Sequence, residues 1–104
     1  MAKFVLAYRG GAMAEGEAAM AAAMERWENW FASLGDAVVD WGSPFGPSAT
    51  VSSDGSVAAS TASALTGYSI ITADSLDGAA RAARSCPVLE AGGSVEVYEA
   101  TPIG

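Results

Sequence analysis

Lys3-Phe4-Val5-Leu6-Ala7-Tyr8-Arg9 decides how the rest of the chain is read. Aromatic and β-branched residues dominate it and Gly10-Gly11 stops it, which is the signature of a β-strand. Side chains alternate across a strand, so Phe4, Leu6 and Tyr8 share one face while Val5 and Ala7 share the other. Both faces are apolar. A strand of this kind belongs in the middle of a sheet that is covered on both sides.

Working outward, residues 14 to 34 contain no proline and no glycine after Gly16, and Ala, Met and Glu, all strong helix formers, fill most of them. Met20, Met24, Trp27, Phe31 and Leu34 recur at helical spacing, which predicts a helix with that stripe as its core face and Gly35 as its stop. Ala37-Val38-Val39-Asp40-Trp41 follows as a short strand, and Gly42-Ser43-Pro44-Phe45-Gly46-Pro47 as a rigid loop. Sixteen of the twenty residues from Ser48 to Gly67 are Ser, Ala, Thr or Gly, so little area can be buried there. Within this stretch Thr50-Val51-Ser52 and Ser56-Val57-Ala58 flank Ser53-Asp54-Gly55, and Asp-Gly supplies the positive φ of a hairpin turn. The reading is a small, soft hairpin with a flexible exit through about Ala64. Gly67-Tyr68-Ser69-Ile70-Ile71-Thr72-Ala73 is a further strand with apolar residues on both faces. Asp74 is placed to cap a helix over Ser75 to Cys86, with Leu76, Ala79, Ala80 and Ala83 as its buried stripe and Pro87 at its end. Ser94-Val95-Glu96-Val97-Tyr98-Glu99 is the last strand.

Two βαβ halves around a hairpin imply an α+β, ferredoxin-like arrangement: an antiparallel sheet of four strands with two helices on one face. The other face remains, and strands that are apolar on both sides do not leave it in water. A homodimer through the open sheet face follows as the expected assembly. At 104 residues the chain is expected to form one domain, 1–104, whose core is adequate but small.

Composition removes whole classes of function. Twelve acids against five bases leave a net charge of −7, so the basic footprint of a nucleic-acid-binding protein is missing. No apolar run reaches the roughly 18 residues of a spanning helix, so no membrane partner is expected. The chain has no histidine and one cysteine, Cys86. That argues against histidine-based triads, the usual metal-ligand clusters and a disulfide framework, and no metal or other cofactor is expected. Met1-Ala2-Lys3 leads straight into a strand without the pattern of a signal peptide, and with a lone thiol this points to the cytoplasm. Cys86, at a helix C-terminus where the dipole disfavours a thiolate, reads as structural.

The ordered motifs are similar to those of the YCII-related domain family, small proteins of the dimeric α/β-barrel superfamily. The resemblance spans nearly the whole chain. It rests on the tryptophan-bearing helix ending in Leu34-Gly35, on Val38-Val39-Asp40-Trp41-Gly42-Ser43-Pro44, and on Leu65-Thr66-Gly67-Tyr68-Ser69-Ile70-Ile71. Ala73-Asp74-Ser75-Leu76-Asp77-Gly78-Ala79, Cys86-Pro87 and Gly93-Ser94-Val95-Glu96-Val97 continue it. The resemblance implies a ferredoxin-like fold paired into a dimeric barrel, and for catalytic members a helix-borne histidine working with an aspartate. Spacing back from Gly35 puts that histidine position near Met24, and methionine moves no protons. The Asp-Gly-Pro-Phe motif of one branch of the family is likewise replaced, by Ala58-Ala59-Ser60-Thr61-Ala62-Ser63.

Four residues are candidates for a ligand site. Asp40 sits in an apolar strand, where aspartate is disfavoured. It reads either as a pocket carboxylate with a raised pKa or as a solvated strand residue. Trp41, followed by Pro44 and Phe45, walls a cleft or packs the loop. Trp30 flanks the helix stripe and serves as core, interface or cavity wall. Arg9 anchors an anionic group or pairs with a surface acid. No catalytic residue is assigned. The favoured reading is a non-catalytic dimeric module acting as an accessory or interaction protein. The competing one is a small-molecule-binding protein, or an enzyme working without histidine, with a cleft near Asp40 and Trp41 that takes a small organic ligand.

Overall fold

The computed structural model describes residues 1–11, 15–59 and 65–103. The expected start of the first helix at Ala14, the hairpin exit through Ala64 and residues 60–63 of the replaced motif lie outside them. The first strand, β1, is Ala2–Arg9. Helix α1 spans Glu17–Leu34 and ends at Gly35, after which a 3-10 turn, Gly35–Ala37, leads into β2, Val38–Pro44. β3 (Ala49–Val51) and β4 (Val57–Ala59) form the hairpin, and β5 is Leu65–Ala73. α2 (Leu76–Ala83), a one-turn α3 (Pro87–Glu90) and β6 (Ser94–Ala100) complete the order.

The main sheet runs β2-β5-β1-β6 and every neighbouring pair is antiparallel. β1 is therefore central, as its two apolar faces require. Phe4, Leu6 and Tyr8 of β1 and Ile71 of β5 are buried on one face, against Trp30 and Phe31 of α1 and Ala79 and Ala83 of α2. The small residues of α2 let its backbone approach the sheet closely. This is the ferredoxin-like α+β fold, with the helices on one face. Burial of each large apolar side chain contributes about 1.5–3 kcal/mol.

Several boundaries differ from the expectation, each for a local reason. Met20 and Met24 are exposed and Trp27 is half-buried, while Trp30 and Phe31 are buried, because among the described residues the core is packed against the C-terminal half of α1 and not its N-terminal half. Trp30 is drawn inward by α2: its indole Nε1 donates to the Ala82 carbonyl at 3.2 Å. Ser75, not Asp74, caps α2, its Oγ accepting from the Gly78 N–H at 3.1 Å. α2 stops at Ala83 and Pro87 opens α3 instead of closing α2, which suits a residue without an N–H in a first helical turn. Cys86 thus stands at the N-cap of α3, buried and 1% exposed. β2 begins at Val38 and runs on through Gly42-Ser43-Pro44, which are strand and not loop.

In the hairpin, the Gly55 N–H donates to the Ser52 carbonyl at 2.9 Å and Ser52 N–H to the Ser56 carbonyl at 2.8 Å. Gly55 supplies the positive φ, +88°, so Asp54 keeps an ordinary conformation and accepts from the Ser56 N–H at 2.9 Å. Both hairpin strands are exposed throughout.

Candidate functional site

β2 does not pair with β5 in one continuous register. The ladder shifts between Val38 and Asp40 and again between Asp40 and Ser43. Gly42 lies in the second shift with φ +77°, and a Cβ there would stand 1.7 Å from the Tyr68 carbonyl oxygen. Only glycine fits, since any side chain would meet both the backbone and the left-handed conformation. Asp40 Oδ1 accepts from the Gly42 N–H at 2.8 Å and closes the bulge.

The bulge leaves Trp41 on the helix face, stacked on Phe31 of α1 with ring centroids 4.6 Å apart and planes at 21°. Between them, Trp27, Tyr8 and Pro44, a cleft of about 300 Å³ opens along α1. That is the lower end of the range for small-molecule sites, roughly 300–1,000 Å³. Trp27 meets Tyr8 edge-on at 5.1 Å and Trp30 edge-on at 5.7 Å, so the aromatic wall is braced from behind by buried residues. Met24 and Glu28 line the α1 side and Val88 of α3 lines it as well.

At the cleft wall the Tyr8 phenol donates to Ser69 Oγ at 2.8 Å, and Ser69 Oγ donates to the Trp41 carbonyl at 2.6 Å. Ser69 is the one polar residue that is fully buried among the described residues, and this chain satisfies it. The chain also ties β1 through β5 to the bulged part of β2, so the cleft walls are held relative to one another. Burial pushes the Tyr8 phenol far above its ordinary range, against the smaller opposing effect of the Ser69 hydrogen bond. Burial likewise pushes the Cys86 thiol up to about 11. Both groups stay protonated near neutral pH.

Of the four residues selected from sequence, Trp41 alone lines this cleft. Asp40, its neighbour, points to the opposite side of the sheet, where its Oδ2 accepts from the Tyr68 phenol at 3.2 Å. The carboxylate pushes the pKa of that phenol up. Arg9 is also on the open face and pairs with Glu96 at 3.3 Å, and the Tyr98 phenol donates to the same carboxylate at 2.9 Å. Trp30 lies beneath the aromatic wall. The structure thus brings Arg9 and Asp40 to one side of the sheet and Trp41 to the other, as alternation along strands demands, and Trp30 of α1 lies on the side of Trp41.

Tyr8, Phe31 and Glu28 were not singled out in the sequence as cleft residues. For the α1 side a signal exists: Met24, Glu28 and Phe31 follow at steps of four and three, which puts them on one helix surface. Nothing in the local sequence says that this surface faces Trp41. Met24, near which the resemblance places a helix-borne histidine, is on the cleft rim.

No curated protein and no solved structure matches the chain. The model of the YCII-related domain matches residues 1–103, essentially the whole chain. This chain belongs to the YCII-related domain family.

Proposed function

We propose that the protein is a non-catalytic binding module, a homodimer joined through its open sheet face, which holds a small organic molecule in the cleft between α1 and β2. One observation carries the reading: four aromatic side chains from three elements, Tyr8, Trp27, Phe31 and Trp41, converge on one open cavity. A soluble surface seldom leaves such an aromatic concavity without a use. Against catalysis stand the protonated, hydrogen-bonded Tyr8 and the methionine at position 24. Proton transfer at neutral pH calls for a group that titrates near that pH.

Two features support the dimer. Val5, Ile70 and Tyr68 are only half-buried and share the open face, flanked by Phe45, Tyr98 and the neutral Arg9–Glu96 pair. From Trp41 to Ala73 the chain carries a single charge, Asp54, so the β5 part of that face is uncharged, and the Asp40 carboxylate beside it accepts from the Tyr68 phenol. The lone thiol fits a reducing compartment, and we place the protein in the cytoplasm on that ground. No helix among the described residues is long and apolar enough to cross a membrane.

The reading is tested by protein-observed NMR against a library of aromatic fragments. Hits should perturb the indole signals of Trp27 and Trp41, and Trp41→Ala should abolish them while the fold is retained. Hits confined to Tyr98 and Phe45 would instead make the open face the binding surface and defeat the cleft.

A further inference from the structure

The charge around the cleft is one-sided. Glu28 is the only charged residue among those lining it. The cations of the chain are directed elsewhere: Arg9 pairs with Glu96 on the far side of the sheet, Arg26 with Glu90 at 3.5 Å, and Arg81 with Asp77 at 3.0 Å. Lys3 and Arg84 do not line the cleft either. The chain as a whole is at −7. An organic anion entering here would meet a carboxylate and a negative field, with no guanidinium or ammonium to receive it.

The walls favour the opposite charge. Aromatic faces carry a negative quadrupole, and a cation within about 6 Å of such a face is attracted to it, most strongly by tryptophan. Trp27 and Trp41 are both in the wall, with Phe31 and Tyr8, and Trp41 remains 54% exposed although one side is stacked on Phe31. Met24 adds a flexible, polarizable side chain that adapts to an apolar body. Resting on the reading of the cleft as a ligand site, we infer that its ligand class is a small organic cation: an amine or quaternary ammonium on an aromatic or alkyl body, with the body among the rings and the charge toward Glu28.

Three probes of similar size and different charge separate this inference from the cleft itself: phenyltrimethylammonium, benzyl alcohol and phenylacetate, each titrated into the full chain while the Trp27 and Trp41 indole signals are followed. Phenyltrimethylammonium should bind about tenfold more tightly than phenylacetate, as expected from one cation–π contact and one exposed carboxylate. Glu28→Gln should weaken the cation about three- to fivefold and leave benzyl alcohol within about twofold. Trp41→Leu, which keeps an apolar side chain, should weaken the cation more than the alcohol. If phenylacetate binds as well as the cation, or Glu28→Gln changes nothing while all three bind, cation selectivity is overturned and the cleft stands. If none of the three moves either indole signal, the cleft falls with it.

Discussion

Gly42 is where one missing side chain shapes the cleft. An alanine there meets the Tyr68 carbonyl and a disfavoured φ together. Gly42→Ala should lower stability by about 2–5 kcal/mol in urea titrations, the sum of left-handed strain and overpacking. At the same scale, Cys86 and Tyr8 make the fold sensitive to alkali. Each holds its proton more tightly when folded than when unfolded, so above the unfolded pKa the unfolded chain binds fewer protons and stability falls as pH rises. The loss should begin near 9, the ordinary value of the thiol, and steepen past 10 as Tyr8 joins. Cys86's share levels off above about 11. Each group contributes a slope of up to about 1.4 kcal/mol per pH unit. Denaturation midpoints between neutral pH and pH 11 check this, and Cys86→Ala should remove the earliest part of the decline.

Among the elements, α1 divides into a packed C-terminal half and an exposed N-terminal one. Trp30→Ala should cost about 3–5 kcal/mol, the range for a buried large aromatic. Met24→Ala should stay within about 0.5 kcal/mol, as ordinary surface changes do. Equal losses in chemical denaturation would mean that the exposed turns of α1 are packed in solution. The β3–β4 hairpin is the other contrast. Three-residue strands with no covered face hold weakly, since a lone hairpin is marginal in water. Amides of 49–59 should exchange with deuterium faster than those of β1 and β6. Protection equal to theirs would show the hairpin covered by a second copy.

For the whole molecule, the open face of the sheet sets the expectation. Sedimentation equilibrium at micromolar concentration should give about twice 10.4 kDa. A monomer across that range would remove the dimer from the proposed function and leave the α1–β2 cleft to be judged by its ligands alone.

The order of elements was legible in the sequence because hydrophobic period reports local structure directly: two in Phe4 to Tyr8, near 3.6 in Trp27 to Leu34, and Asp-Gly at the hairpin turn. The central place of β1 was legible too, from apolar residues on both its faces. The site was legible only in Trp41. Asp40 was grouped with it because they are adjacent in sequence, yet adjacency in a strand means opposite faces, and the bulge at Gly42 decides what each meets. Which side of α1 turns inward depends on α2, whose Ala82 carbonyl receives Trp30, and the cleft exists only where Phe31 and Trp41, ten residues apart, stack across two elements. Periodicity acts within an element and is encoded locally. Register between elements is set by packing over the whole core, so the cleft and its lone carboxylate appear only in the tertiary structure.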